Sequence, residues 1–327
     1  MSQRRVGILG LGAYMPERVL KNSDLEKIVD TSDEWIQTRT GIKERRIAEK
    51  GTPTSELAAR AAREALAQAN LKPTDLDLII LATISPDMVF PSTACIVQNK
   101  IGARCAAFDI SAACSGFPYA LTLAEGLIRS GSYKHILVIG AEVISTYINW
   151  KDRSTCVLFG DGAGAAVLGE VKDGHGILAT YLGADGSQAK LLQIPAGGSA
   201  IPTTVESVSQ GLHYVQMEGS EIFKSAVRTM SDAVVEVVKR AGLKLEDIDC
   251  LIPHQANLRI LNAVTERVGI DANKVFVNLD RYGNMSAAST IVALYEAVKE
   301  GKIKKGSNVV LVAFGSGLTW AACTIRW

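Results

Sequence analysis

The chain has 327 residues, 47% of them hydrophobic, and carries 35 Lys plus Arg against 34 Asp plus Glu, a net charge of +1. That balance excludes the broad basic face nucleic-acid binding needs, so any acidic partner must be met by a local patch. The length allows two domains or one large one with a substantial core. No run of about 18 apolar residues occurs, so no membrane span is expected. None of the six cysteines forms a C-x-x-C pair, which speaks against a metal site such as zinc. Several of them sit in apolar runs, as small buried thiols do in a reducing compartment, and a cytoplasmic protein is expected. The opening "MSQRRVGILGLGAYMPE" has a faint signal-peptide outline, but its short, Gly-rich run ending at Pro16 reads better as a first strand.

In chain order, "RVGILGLGAYMP" is a strand and "TPTSELAARAAREALAQAN" a helix, with Ala58, Ala62, Ala65 and Ala69 at helical spacing. "LDLIILATI" is the continuous apolar run of a strand buried on both faces. "CAAFDIS" is a short strand and "SGFPYALTLAEGLIRSG" a helix stopped by Gly131. "HILVIGAEVI" and "CVLFGDGAGAAVLGEV" are further strands. "GILATYLGADG" begins a second series: the helix "SEIFKSAVRTMSDAVVEVVKRAG", the strands "IDCLIP" and "KVFVNLD", the helix "SAASTIVALYEAVKEG", and the strands "NVVLVAF" and "LTWAACTIRW". The stretch from Gly186 to Gly219 breaks the pattern and reads as a long irregular loop, either a functional lid or a surface insertion.

The second series replays the first. "TDLDLIILA" and "EDIDCLIPH" are offset by 172 positions, and the helix-stopping Gly131 and Gly301 by 170. A duplicated α/β unit is the expected architecture, with halves at 1–172 and 173–327.

Three residues stand out chemically. Cys114 lies in "DISAACSGFPYAL", between a strand and a helix start, where the helix dipole favours a thiolate. By itself it could equally be a buried structural cysteine. His254 follows the strand "CLIP" directly, and ligands of α/β folds cluster at strand C-termini. Taken alone it could also be a satisfied structural histidine. Asn284, in "DRYGNMSAAS", is again at a strand-to-helix junction, where Asn also serves as a helix cap. A pseudo-twofold fold would bring these strand ends together. "GILGLGA" and "GDGAGAAVLG" read as tightly packed strands and turns, since no helix follows where a phosphate cradle needs one.

Together "TSDEWIQTRTGIKERR", "ISAACSGF", "FGDGAGAAVL", "HQANLRI" and "DRYGNMSAAS" resemble the β-ketoacyl-acyl-carrier-protein synthase III family, over essentially the whole chain. The resemblance implies a five-layered αβαβα thiolase-like fold with duplicated half-domains and a homodimer. It implies an initiating condensation of type II fatty acid synthesis from a short acyl-CoA and malonyl-acyl carrier protein, with coenzyme A as a substrate and no cofactor. It matches Cys114 to the acyl-accepting nucleophile and His254 and Asn284 to its catalytic partners, with the backbone N–H groups of Cys114 and Ser316 as oxyanion hole. Ser316 departs from the Gly or Ala often found there. Trp35 and Arg153 match the residues that sandwich the adenine of coenzyme A, and Arg39 and Asn257 positions along its tunnel. Phe90 matches a residue reaching the partner subunit's acyl pocket. A carrier-protein docking patch is expected at Lys224, Arg259 and Arg267. A papain-like cysteine hydrolase would share the Cys-His-Asn set but lacks support from the repeat or a "C-G-S-C-W" signature. A non-catalytic acyl-binding relative would have no need of all three residues, whereas a secondary-metabolism condensing enzyme on the same fold would carry them too.

Overall fold

The continuous apolar runs become the central strands of two sheets in the computed structural model, which describes residues 4–172 and 174–327. The first half supplies β1 (Val6–Tyr14), α1 (Asp33–Thr40), α2 (Thr54–Gln68), β2 (Leu78–Ala82), α3 (Thr93–Ile101), β3 (Ala106–Ile110), α4 (Gly116–Arg129), β4 (Ile136–Glu142) and β5 (Gly162–Glu170). The second half supplies β6 (Gly176–Ala184), α5 (Gly219–Arg240), β7 (Cys250–Pro253), α6 (Leu258–Val268), α7 (Ala288–Lys299), β8 (Asn308–Gly315) and β9 (Thr319–Arg326).

The sheets run β1-β5-β4-β2-β3 and β6-β9-β8-β7. Within the first, β2 is parallel to β3 and β4, while β5 is antiparallel to both β1 and β4. Within the second, β9 is antiparallel to β6 and β8, and β7 is parallel to β8. The four strands of the second sheet follow the order of the first four of the first, and Leu78 and Cys250, which open β2 and β7, are 172 positions apart. The 173 boundary expected between the halves falls on a position outside the described residues.

Helices α4 and α7 lie between the sheets, while α2 with α3 and α5 with α6 cover the outer faces, which makes five layers. β2 is buried along its whole length, and each Leu or Ile so placed contributes about 1.5–3 kcal/mol. The glycines of "GILGLG" serve packing: a Cβ on Gly10 would collide with the Ala65 carbonyl oxygen, and one on Gly12 with that of Ala61. The alanine face of α2 and the bare strand thus meet backbone to backbone.

Two strand expectations are corrected. "CVLFGDGAGAAVLGEV" enters its strand only at Gly162. Cys156 ends a one-turn helix, Arg153–Cys156, and the carboxylate of buried Asp161 is held by Ala48 N–H, Ser145 N–H and Ser145 Oγ. "KVFVNLD" forms no strand; Val275 makes a single parallel bridge to Leu251, a remnant of the fifth strand. Buried Gln255 takes the place of the missing ladder. Its Nε2 donates to Pro253 and Phe276 carbonyls and its Oε1 accepts from Asn278 and Leu279 N–H.

The insertion is more ordered than its composition suggested. Leu192–Gln193 pairs with Gln216–Met217, closing its base, and a short helix spans Val205–Ser209.

Candidate active site

Cys114 is presented by a tight turn between β3 and α4. Ala113 adopts φ of +46°, and Ser286, just before α7, adopts +47°. The two halves therefore make the same strained turn into a helix, and only the first carries a nucleophile after it. The Gly315–Ser316 turn closes over the elbow: a Cβ on Gly315 would sit 2.7 Å from the Cys114 nitrogen. Thr319 Oγ1 donates to the Ala112 carbonyl and Ser115 Oγ to the Thr319 carbonyl, locking turn to elbow. The Ser316 hydroxyl turns away and donates to the Leu192 carbonyl of the insertion.

His254 leaves the end of β7 with its N–H donated to Val312 O at 2.8 Å. Its imidazole is buried and its Nδ1 has no partner. Burial lowers its pKa from 6.5 to about 4, so the ring is neutral near pH 7. Asn284 is clamped by a parallel bridge to Phe159, donating its N–H to Leu158 O and accepting Gly160 N–H. It does not cap α7, whose N-cap is Ala287. Its Oδ1 accepts Ser286 N–H at 2.8 Å, so its amide nitrogen remains to face the cavity.

Two cavities meet at Cys114. One, of about 350 Å³, is a tunnel that brings together Cys114, His254, Asn284, Trp35, Arg39, Asn257 and Arg259. The other, of about 380 Å³, is mostly apolar and is lined by Ile144, Ile194, Val215 and Ser316 among others. Phe159 and Leu192 border both.

The thiol departs from expectation. Burial pushes its pKa up to about 12, with the nearby Glu142 carboxylate adding to the rise and hydrogen bonds from Ser286 and Asn284 opposing it. Burial thus opposes the thiolate that the helix start was expected to favour.

The other expected residues divide. The Arg153 guanidinium lies over the Trp35 ring, 4.9 Å from its centroid, and also donates to the Asp30 carbonyl. Asn257 borders the tunnel, but its amide caps α6 through Arg259 N–H and binds the Arg39 carbonyl. Phe90 is 82% exposed and lines neither cavity of its own chain. Arg259 borders the tunnel and lies over Phe223. Lys224 is paired with Glu221 and Arg267 with Asp232. Because α5 and α6 pack in parallel, Arg267 is carried about 12 Å along the helix from Arg259, away from the mouth where all three were expected. Ile222, Ala226 and Met230, which look like an ordinary core face in the sequence, also wall the tunnel. Glu142 and Ser286 drew no attention in the sequence; a carboxylate inside the apolar run "LVIGAEVI" was the available signal.

A thiol at a strained elbow, a neutral histidine and an oriented amide, set in a duplicated five-layer fold, define a condensing acyltransferase of the thiolase type. Comparison with known proteins agrees. Residues 108–186 match the model of 3-oxoacyl-[acyl-carrier-protein] synthase III, and residues 238–327 that of its C-terminal part. The β-ketoacyl-[acyl-carrier-protein] synthase III of Caldanaerobacter subterraneus is 60% identical over 98% of this chain and 97% of its own. The crystal structure of the Aquifex aeolicus 3-oxoacyl-[acyl-carrier-protein] synthase III superposes with a TM-score of 0.92 at 53% identity, covering 98% of this chain and 100% of that one. The priming β-ketosynthase of the R1128 polyketide pathway has a TM-score of 0.91 at 34% identity, over 100% of this chain and 98% of its own. The chain belongs to the 3-oxoacyl-[acyl-carrier-protein] synthase III family.

No helix among the described residues is long and apolar enough to cross a membrane.

Proposed function

We propose that the protein performs the initiating condensation of type II fatty acid synthesis, moving a short acyl group, acetyl in the first place, from coenzyme A to Cys114 and then onto malonyl-acyl carrier protein. The observation that carries this reading is the meeting of two cavities at one sulfur. A thioester arm in the tunnel presents its carbonyl to Cys114, and the acyl chain passes into the apolar pocket beyond.

Cys114 attacks as its proton passes to the departing coenzyme A sulfur, since a thiol with so high a pKa does not wait as thiolate. The N–H groups of Cys114 and Ser316 hold the oxyanion, and one such donor is worth about 3–4 kcal/mol. Malonyl-acyl carrier protein follows through the same tunnel. The Asn284 amide and His254 donate to its thioester oxygen, where charge collects as carbon dioxide leaves. The enolate carbon then attacks the acyl-cysteine and frees a 3-ketoacyl product. Because the buried Nδ1 of His254 meets no acceptor, a proton there would be unsatisfied, which favours the Nε2–H tautomer that donation needs.

Trp35 and Arg153 bind the adenine; their direct stacking means the guanidinium swings aside to admit it. Arg39 and Asn257 line the path, and Arg259 at the mouth meets the acidic carrier protein, with Lys224 and Arg267 on the flanking surface beyond it. The exposed apolar segment Met88–Val89–Phe90 and the unpaired edge strand β3, with Phe108 exposed, support a homodimer in which Phe90 enters the partner's acyl pocket. Coenzyme A enters as a substrate with no resident cofactor, and the six free cysteines suit the cytoplasm.

The test is incubation with acetyl-CoA, then malonyl-acyl carrier protein, with masses followed. An acetyl adduct on Cys114 that converts to 3-ketobutyryl-carrier protein is expected, and Cys114→Ser abolishes both. Adduct on another cysteine, or release as free acetate alone, refutes the reading.

A further inference from the structure

Glu142 ends β4, is fully buried, and lies close enough to Cys114 for its charge to raise the thiol's pKa. Its carboxylate accepts five neutral donors: Thr83 Oγ1 at 3.0 Å, Ile84 N–H at 3.1 Å, Ser85 N–H at 3.1 Å, Ser85 Oγ, and Ser286 Oγ at 2.9 Å. Burying a carboxylate without a cation is costly, and apolar packing would serve stability as well or better. Such groups mark sites where geometry or charge is used.

The contact with Ser286 shows the use. Ser286 is held at φ of +47°, with its hydroxyl fixed by Glu142. Its N–H in turn holds Asn284 Oδ1 at 2.8 Å. An amide rotates freely about its last bond unless one end is tied; here the oxygen is tied, so the nitrogen must face the cavity. The opposite side of the carboxylate is anchored by Thr83–Ser85, and Ser85 Oγ also accepts Val143 N–H. The anchor is thus part of the first half's sheet, while the residue it aims belongs to the second half.

We propose that Glu142 is a positioning residue for decarboxylation: through Ser286 it fixes the plane of the Asn284 amide so that the amide nitrogen faces the malonyl thioester oxygen. The proposal rests on the reading of Asn284 as enolate donor. The groups facing the Cys114 thiol are Glu142, Ser286 and Asn284, with His254 lining the same cavity, and Tyr147 lies near Glu142.

Separate readouts of the two half-reactions tell positioning from general damage. Glu142→Gln, Ser286→Ala, the double variant and Asn284→Ala are compared in three assays: malonyl-acyl carrier protein decarboxylation, single-turnover acetylation of Cys114, and alkylation of Cys114 by iodoacetamide at fixed pH. Glu142→Gln and Ser286→Ala should each slow decarboxylation about 10–100-fold, as displaced catalytic groups do. Acetylation should change much less, and the double variant should be no worse than the worse single one. Alkylation reads whether Cys114 is still presented to the cavity, and it should stay within a few-fold of the natural protein in both variants. Equal loss of decarboxylation and acetylation, multiplying effects in the double variant, or loss of Cys114 alkylation in step with decarboxylation overturns the proposal. If Glu142→Gln does not fold, Ser286→Ala decides by the same split, and equal loss there overturns it. Retained decarboxylation in Asn284→Ala would instead remove the enolate-donor reading itself.

Discussion

Acidification should destabilise this protein through His254 in a window that no exposed histidine would give. Its pKa falls from 6.5 to about 4 because the ring is buried without an ionic partner. Below 6.5 the unfolded chain takes up a proton that the folded protein refuses, so falling pH favours unfolding until about 4, where the folded ring also charges and the loss levels off. Each pH unit across that window costs about 1.4 kcal/mol, so the full loss is about 3 kcal/mol, a large share of a typical stability. Glu142 and Asp161, whose pKa values burial raises, act in the opposite sense as they protonate. The measurement is therefore a difference: urea unfolding of the natural protein and of His254→Asn across the acid range, at one protein concentration. The stability advantage of the natural protein over the variant should shrink by about 3 kcal/mol between about pH 7 and pH 4. Parallel curves would mean that His254 titrates normally, and the neutral-donor role would lose its physical basis. Decarboxylation should likewise show no inflection near 6.5 from this residue.

Four further outcomes follow from the geometry. Gly315→Ala places a methyl group 2.7 Å from the Cys114 nitrogen and should cut condensation about 10²–10³-fold while Cys114 remains alkylatable; unchanged turnover would remove that turn from the oxyanion site. Trp35→Ala should raise KM for acetyl-CoA about tenfold and leave that for malonyl-acyl carrier protein nearly unchanged, and equal effects on both would refute adenine stacking. Phe90→Thr should admit longer acyl primers, read as product chain length; an unchanged preference refutes the gate. Arg259→Glu should slow the malonyl-acyl carrier protein reaction in a salt-sensitive way while sparing acetyl transfer from coenzyme A, and equal loss with both would move the docking patch elsewhere.

The sequence by itself determined the repeat and the elbows. Strand and helix periodicity are local properties, so an offset of 172 between two apolar runs was enough to imply two sheets of like topology, and the strand-end positions of Cys114, His254 and Asn284 implied a shared site. Tertiary structure decided what local patterns cannot hold. "KVFVNLD" has strand composition, yet the side chain of Gln255 occupies the hydrogen bonds a strand would have used. The helix dipole at Cys114 was legible, but whether it or burial governs the thiol depends on what the rest of the chain packs around it. Ile222, Ala226 and Met230 are apolar at helical spacing whether they face a core or a tunnel, and only the space beside them tells which. Glu142 and Ser286 stand 144 positions apart, so their contact, and the orientation of Asn284 that hangs on it, exists only once the two halves have closed on each other.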